Sequence, residues 1–167
     1  ADELSAGFTT RAVIFATAHR EATERLMETL DRTGLRTLVG KVNMDRNAPD
    51  YIREPDAAFA VSDTERFLRE TMGAYENTAP ILTPRFVPSC TPETLRGLGA
   101  LAEKYGVPVQ SHLDEQPEEI AWVRELSPDS ASYAAVYDDA GLLGAKTVMA
   151  HCLYMTDAEC ALMKARG

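Results

Sequence analysis

Short apolar stretches rich in β-branched residues alternate with amphipathic stretches of helical period along the whole chain. About five of the apolar stretches have the length of a strand, and a helical stretch follows each of them. Strands that are apolar on both faces and separated by helices are typical of a parallel sheet covered by helices. The alternation therefore predicts an α/β fold with about five parallel strands, which we place at residues 9–17, 36–44, 81–88, 107–113 and 146–153.

Signals for helix ends divide the stretches between these strands. Thr91 and Pro92 form a polar cap followed by a first-turn proline, and Gly106 is a typical stop for the helix that they begin. Capping boxes at Ser62–Glu65 and Thr156–Glu159 predict two more helix starts. The polar, proline-containing segment before the first box is predicted to be a long loop. Further helices are predicted at 20–33, 117–126 and 133–143.

The charge balance and the cysteines narrow the class of protein. Among 167 residues, 26 acidic and 17 basic side chains give a net charge of −9. This argues against nucleic-acid binding, because binding to a phosphate backbone is driven by clustered Lys and Arg. The longest apolar runs are much shorter than the roughly 20 residues of a membrane helix. Three cysteines without a C-x-x-C spacing, and no visible signal peptide, suit a reducing compartment. We therefore expect a cytoplasmic protein that binds neither nucleic acid nor a membrane.

Polar residues with ligand or catalytic chemistry follow each predicted strand. In parallel α/β folds, functional side chains lie at the carboxyl ends of strands and in the loops just after them. This criterion selects, in chain order, His19, Asn43, Asp45, Arg85, His112, Glu115 and His151. Of these, His19 is expected to be structural, and Asn43 and Asp45 are expected to close the turn into the long loop. Cys90 and Cys152 lie near the same edge and are expected to be structural thiols.

His112 and His151 end neighbouring predicted strands, so their imidazoles are expected to point into the same mouth of the fold. Neutral imidazole is a good ligand for zinc or iron, and Glu115 follows His112 closely enough to move a proton of a metal-bound water. A catalytic zinc site normally has at least three protein ligands, and this pair supplies fewer. From spacing alone, hydrogen-bonded structural histidines are therefore the more common alternative.

Four phrases of the sequence are more specific than any isolated motif. They are GKVNMD at 40–45, TPRFVPSC at 83–90, QSHLDE at 110–115 and TVMAHC at 147–152. Together they resemble the guanine deaminases, a family of metal-dependent amidohydrolases built on a (β/α)₈ barrel. The resemblance runs through essentially the whole chain, and it implies hydrolysis of guanine, a small-molecule purine, to xanthine and ammonia. It also implies a partial TIM-type barrel that contains family strands two to six.

The resemblance implies roles for five residues. His112 and His151 match the family's metal ligands on the fifth and sixth barrel strands, and the metal is usually zinc, with iron as an alternative. Glu115 matches the glutamate that activates the water and protonates the purine ring. Arg85 and Phe86 match the residues that hold the guanine, the guanidinium by hydrogen bonds and the phenyl ring by stacking.

Two parts of the family pattern do not occur in the sequence, namely the H-x-H pair of the first barrel strand and the aspartate of the eighth. We therefore expect residues 1–167 to be a single segment of the catalytic barrel, incomplete at both ends and inactive in isolation. Open sheet edges favour association, so we expect a homo-oligomer. The alternatives are another amidohydrolase deaminase or chlorohydrolase, against which the Arg85–Phe86 pair argues, and a non-catalytic α/β module that binds a partner.

Overall fold

Parallel strands and α-helices alternate along the chain. The computed structural model describes the backbone of residues 1–167 and every side chain except those of Asp2 and Ser5. The strands are β1 (Arg11–Phe15), β2 (Arg36–Gly40), β3 (Val42–Asn43), β4 (Thr78–Pro80), β5 (Thr83–Pro84), β6 (Val109–Leu113) and β7 (Thr147–His151). The helices are α1 (Asp2–Ala6), α2 (Arg20–Asp31), α3 (Ala57–Thr71), α4 (Pro92–Tyr105), α5 (Pro117–Leu126), α6 (Tyr133–Asp139) and α7 (Asp157–Arg166), and a 3₁₀ turn lies at Val87–Ser89.

The strands pair in parallel and in the order in which they occur along the chain. One ladder joins β1, β2 and β4, a second joins β3 and β5, and a third joins β6 and β7. A parallel bridge between Leu82 and Val109 connects the segment between β4 and β5 to β6. Because β2 runs almost directly into β3, and β4 into β5, the strands form five extended segments, and the third, at 78–84, begins and ends earlier than the predicted 81–88. The predicted α/β class with parallel strands is confirmed.

The second and third extended segments are each divided in two, whereas a single continuous strand is predicted at 36–44. Pro80 and Pro84 have no N–H to donate to a neighbouring strand, which weakens the ladder along the third segment. Gly40, at the break of the second segment, lies so close to Thr83 that an added Cβ would be 1.6 Å from its Oγ1. Since β2 pairs with β4 and β3 with β5, the two breaks lie side by side.

Of the three helix starts predicted from capping residues, two are confirmed and one is wrong. The Thr91 hydroxyl accepts the N–H of Thr94 at the start of α4, and Thr156 and Glu159 form the predicted capping box of α7. The predicted start at Ser62 is wrong, because α3 begins at Ala57.

The start of α3 is set by Asp56, whose carboxylate accepts the N–H of Phe59 at 2.8 Å. The hydroxyl of Ser62 lies within the helix and donates to the carbonyl of Phe59 instead. The polar loop before α3 is correspondingly shorter than predicted. Helix α6 also ends earlier than predicted, because Gly141 adopts a left-handed φ of 73° and Leu142 turns into the core.

The sheet is curved, and the curvature places β1 opposite β6. The ring centres of Phe15 and His112 are 4.4 Å apart, and Nε2 of Gln110 donates to the carbonyl of Ile14 at 3.0 Å. Since β1 and β6 are not neighbours in the sheet, these contacts cross its concave side. The helices cover the other side and bury an apolar core that includes Met27, Leu68, Leu98, Leu113 and Tyr137. None of the described helices has both the length and the apolar character needed to cross a membrane.

Candidate active site

A backbone carbonyl holds the imidazole of His112 near the carboxyl end of β6. Nδ1 of His112 lies 2.6 Å from the carbonyl oxygen of Arg85. Because a carbonyl only accepts hydrogen bonds, Nδ1 carries the proton of the neutral ring. Nε2 is then the unprotonated nitrogen, and its lone pair is free for a ligand.

His151 reaches the same side of the sheet through a distortion of its backbone. The register of β6 and β7 pairs His112 with Ala150 and Leu113 with His151. Paired residues of neighbouring strands point to the same side of a sheet, so a regular strand would direct His151 towards the helices, where Leu113 is buried. Instead, φ is 73° at His151 and 55° at Cys152, left-handed values that are uncommon outside glycine. As a result, the ring centres of His151 and His112 are 5.4 Å apart.

Backbone hydrogen bonds fix this left-handed turn. The N–H of Cys152 donates to the carbonyl of Leu113 at 2.8 Å. The N–H groups of Leu153 and Tyr154 both donate to the carbonyl of Asp114, at 3.1 and 3.2 Å. The end of β7 is thereby attached to the end of β6, and the ring of His151 is presented above the sheet edge.

The two imidazoles fit a shared metal ion in spacing and in chemistry. Two imidazoles that bind one zinc ion at about 2.0–2.1 Å have ring centres about 5 Å apart, close to the 5.4 Å between His112 and His151. The bond from Nδ1 of His112 to a carbonyl is the kind of outer contact that orients metal-binding histidines. Among the described residues, however, no group of three or more His, Cys, Asp or Glu side chains gathers as a metal site. The chain thus supplies part of a ligand set.

Glu115 lies beside the imidazole pair. Its Oε2 is 3.5 Å from Nε2 of His151, and both side chains are about one-third exposed, at 34% and 37%. Helix α5 begins only at Pro117, so Glu115 is not part of its first turn. A half-exposed carboxylate at this point can accept a proton from a small molecule held at the imidazoles and return it.

Arg85 and Phe86 follow β5 on the side of His112. The guanidinium carbon of Arg85 is 5.4 Å from the ring centre of Phe86, and Nη1 donates to the sulfur of Met44 at 3.5 Å. Within the described side chains, no carboxylate lies at ion-pair distance from Arg85, so most of its N–H groups are free to bind a ligand. Trp122 of α5 meets the Phe86 ring edge-on, with ring centres 6.2 Å apart.

An open cleft of about 300 Å³ lies between β1 and the ends of β3, β5 and β6. Arg85 and His112 form its polar side. Its apolar lining includes Phe15, Val42, Met44 and Ile52. Apolar walls with a few convergent polar groups are typical of small-molecule sites, and this combination suits a flat molecule with a polar edge.

Asp114 separates His112 from Glu115 in sequence but faces the helices instead of the cleft. Its side chain borders a cavity of about 170 Å³ beneath α5 and α7, and the residue is 1% exposed. Burial, followed by repulsion from Glu159 and Glu119, raises the pKa of the Asp114 carboxyl group to about 6.

The other strand-end candidates have structural contacts. The amide of Asn43 is buried and donates to Glu54 and Thr64. Asp45 does not simply close a turn, as the sequence predicted, because its carboxylate accepts from the N–H and hydroxyl of Thr91 at the start of α4.

His19 and Cys90 also lie apart from the imidazole pair. His19 is the N-cap residue of α2 and makes no capping bond with its side chain. Cys90 is completely buried, and burial raises the pKa of its thiol to about 12, so it is no nucleophile near neutral pH.

Sequence reasoning missed two aromatic residues of the site. Phe15 ends β1 and packs on His112, but the strand-end criterion was applied to polar residues, which excluded it. Extending that criterion to aromatic residues would have found Phe15. Trp122 lies within α5, and nothing in its sequence context indicates that it reaches Phe86.

Comparison with known proteins gives consistent matches along the chain. The sequence profile of the amidohydrolase family matches residues 2–167. Guanine deaminase of Dictyostelium discoideum is 40% identical over 156 residues, which cover 93% of this chain and 34% of that protein. Guanine deaminase of Homo sapiens is 40% identical over 163 residues, which cover 95% of this chain and 35% of that protein. The chain therefore spans about a third of the length of these curated relatives.

A solved structure matches the fold closely. The crystal structure of guanine deaminase from C. acetobutylicum, with guanine bound in its active site, superposes with a TM-score of 0.91 at 45% identity. The superposition covers 95% of this chain and 38% of that one. The family profile covers both strand ends that carry the imidazoles. The chain belongs to the amidohydrolase family.

Proposed function

We propose that this chain forms strands two to six of the TIM-type barrel of a guanine deaminase, and that the complete enzyme hydrolyses guanine to xanthine and ammonia. The observation that carries the proposal is the meeting of three side chains at one sheet edge. The rings of His112 and His151 are 5.4 Å apart, and Glu115 lies 3.5 Å from His151. The similarity to guanine deaminases supports the choice of substrate.

In this proposal, His112 and His151 bind one divalent ion, zinc or, as an alternative, iron. When bound, the ion would supply hydroxide at neutral pH, because it lowers the pKa of a bound water to about 7. The carbonyl of Arg85 keeps His112 in the tautomer whose Nε2 can donate its lone pair. Two imidazoles are fewer than the three protein ligands usual at catalytic zinc. We therefore expect the 167-residue chain by itself to hold zinc weakly and not to turn over guanine.

Glu115 moves the protons of the reaction. Its carboxylate accepts one proton from the attacking water and delivers it to a ring nitrogen of the purine, and it then moves the second proton, from the new C2 hydroxyl, to the departing amine. At C2 of guanine a C–O bond forms and the C–N bond to the amino group breaks, so the products are xanthine and ammonia. The 3.5 Å separation between Oε2 of Glu115 and Nε2 of His151 supports this role.

Arg85, which lines the cleft, and Phe86 beside it hold the base. The free N–H groups of the guanidinium match the acceptor-rich edge of a purine better than an ammonium group would. The Phe86 ring, supported edge-on by Trp122, offers an apolar face near the planar base. A related heterocycle without that acceptor edge would leave the guanidinium unpaired, which disfavours it.

The test uses the complete enzyme that contains this chain, with guanine, adenine and cytosine as substrates. We expect ammonia release from guanine alone, a kcat lower by about 10²–10⁴-fold in Glu115→Gln, and a raised KM for guanine in Arg85→Met. Arg96→Met is the matched control, because Arg96 is an exposed arginine paired with Glu93 on α4. Equal activity on adenine, or an unchanged kcat in Glu115→Gln, would contradict the proposal.

We also propose that the enzyme is a cytoplasmic homo-oligomer whose partner is the purine substrate and neither nucleic acid nor a membrane. The net charge of −9 supports the exclusion of nucleic acid. Light scattering of the purified enzyme tests the oligomeric state, and a monomer at micromolar concentration would contradict it.

A further inference from the structure

Two buried hydroxyl groups lie beneath the candidate active site and join the strand ends that carry its residues. Ser111 of β6 and Tyr137 of α6 are both 0% exposed, and their oxygen atoms are 2.7 Å apart. On one side, Oγ of Ser111 lies 2.7 Å from the carbonyl oxygen of Pro84 and 3.2 Å from that of Arg85. On the other side, the hydroxyl of Tyr137 lies 2.8 Å from the carbonyl oxygen of His112. The pair thus connects the end of β5 with the end of β6.

The carbonyl oxygen of Arg85 links these hydroxyls to the site. It lies within hydrogen-bond distance of Oγ of Ser111, and it accepts the bond from Nδ1 of His112 at 2.6 Å. The position of this one oxygen atom affects the tautomer and orientation of the His112 ring. It also affects the direction in which the Arg85 side chain leaves the backbone.

The two hydroxyls act as one hydrogen-bonded chain. A contact of 2.7 Å between hydroxyl oxygens requires that one of them donates to the other. Either Ser111 donates to Tyr137 and Tyr137 to His112, or Tyr137 donates to Ser111 and Ser111 to a carbonyl at the end of β5. Burial raises the pKa of Tyr137, so its hydroxyl keeps the proton that either arrangement needs.

We infer that Ser111 and Tyr137 are positioning residues, which hold the ends of β5 and β6 together and so keep the adjacent Arg85 carbonyl where it holds His112 in its metal-binding tautomer. This inference rests on the function proposed above. Apolar side chains of similar shape would fill the same space, but they would leave the carbonyl oxygens of Pro84 and His112 without these hydrogen-bond donors.

The neighbouring Tyr133 provides a comparison within the molecule. Its ring stacks on that of Tyr137 at 5.7 Å, and the residue is 3% exposed. Among the described residues, however, its hydroxyl donates to none of the carbonyls of Pro84, Arg85 and His112. Tyr133→Phe therefore removes the same atom from the same helix without touching the carbonyls of the site.

The test compares Ser111→Ala and Tyr137→Phe with the control Tyr133→Phe in the complete enzyme. Zinc affinity is measured by competition with a chromophoric chelator, and the Tm is measured on the same samples. Loss of an outer contact to a metal ligand typically costs about 10–100-fold in affinity. We expect about tenfold weaker zinc binding in both test variants and unchanged binding in the control. The double variant should bind zinc about as well as the weaker single variant, because the two hydroxyls form one chain.

A second measurement reports on His112 without any turnover. In ¹⁵N-histidine NMR spectra of the metal-free enzyme, the Nδ1–H signal of His112 should weaken in both test variants and persist in Tyr133→Phe. A purely structural role would lower the Tm of the test variants without changing zinc affinity or this signal, and that result would overturn the inference.

Folding of the variants and zinc binding by the unmodified enzyme determine which proposal a negative result contradicts. If Tyr137→Phe does not fold, Ser111→Ala, which removes a single oxygen atom, is judged by the same criteria. If the unmodified enzyme binds no zinc and releases no ammonia from guanine, the proposed function fails and this inference fails with it. Zinc binding and turnover by the unmodified enzyme, together with unaffected zinc binding in the test variants, would overturn the inference alone.

Discussion

Leu113 and His151 are paired across β6 and β7, yet Leu113 is completely buried beneath the helices and His151 is turned to the other side of the sheet beside His112. The left-handed backbone at His151 and Cys152 causes this separation. Such a conformation costs an ordinary residue about 1–3 kcal/mol, and it persists only where the surrounding structure determines it. The strain therefore coincides with the residue that completes the imidazole pair.

The left-handed turn leads to a prediction for Cys152. At a φ of 55°, glycine is tolerated and a β-branched side chain is strained, so Cys152→Gly should be more stable than Cys152→Val by about 1–3 kcal/mol. The free energy of unfolding in urea measures the difference. At the exposed strand residue Ala79 the order should reverse, because valine is favoured in strands. Equal stabilities of the two Cys152 variants would contradict the argument.

A buried ion pair beneath the loop that precedes α3 should be sensitive to loss of either partner. Lys41 is 1% exposed and contacts Glu54, which is 4% exposed, and also lies 3.5 Å from Asp63. Lys41→Met leaves the buried Glu54 carboxylate without a cation and should cost about 3–5 kcal/mol of unfolding free energy. The double variant with Glu54→Gln should lose less than the sum of the single losses. The surface pair of Lys104 and Glu65 is the control, and Lys104→Met should change stability little.

The capping box of α7 should make stability depend on pH in the acid range. Burial alone would raise the pKa of Glu159, but hydrogen bonds from Thr156 and from the N–H of Ala134 outweigh it, and the net pKa is lowered. A lowered pKa in the folded state stabilises the protein above the pKa of the unfolded state, and this contribution is lost as the pH falls through the folded value. Glu159→Gln should therefore cost about 1 kcal/mol at pH 7 and almost nothing at pH 3.

Urea titrations of both proteins at the two pH values test this prediction. Glu93→Gln is the control, since Glu93 is an exposed first-turn glutamate of α4. A difference between the unmodified protein and Glu159→Gln that is as large at pH 3 as at pH 7 would show that the charge of Glu159 is not what stabilises the helix start.

The three thiols should react at very different rates. Cys160 is exposed, Cys152 is half-buried with a pKa raised by burial, and burial raises the pKa of Cys90 to about 12. Because the thiolate is the reactive form, an aromatic disulfide reagent at pH 8 should modify Cys160 first and Cys90 only on unfolding. Cys160→Ala should remove the fast phase and Cys90→Ala should leave it unchanged. Rapid modification of Cys90 in the folded protein would contradict its burial.

The part of the site that sequence could predict depends on a general property of parallel sheets. Because the carboxyl ends of neighbouring strands meet at one edge, His112 and His151 are expected on the same side of the fold, and their ring centres are 5.4 Å apart. The start of α4 was predictable for a local reason, since Thr91 and Pro92 act within one turn of the helix.

Features that depend on tertiary structure were not predictable in this way. Strand alternation alone would direct the His151 side chain away from His112. The left-handed turn at His151 and Cys152 brings the two rings together, and the local sequence contains no signal that predicts this turn. The predicted start of α3 at Ser62 is too late. Asp56, a single carboxylate in a polar segment, caps the helix earlier in the chain and gives a weaker sequence signal than the capping box at Ser62. The contact between Phe86 and Trp122 likewise joins residues far apart in sequence.

The agreement between chain order and spatial order has a consequence for biosynthesis. Each extended segment finds its partner in the segment made just before it, from β1 through the divided second and third segments to β6 and β7. A nascent chain that emerges from the ribosome can therefore add one strand and its covering helix at a time. Among the described strands, each extended segment after the first pairs with one that has already been synthesised. Few unpaired strand edges are therefore available for incorrect pairing during translation.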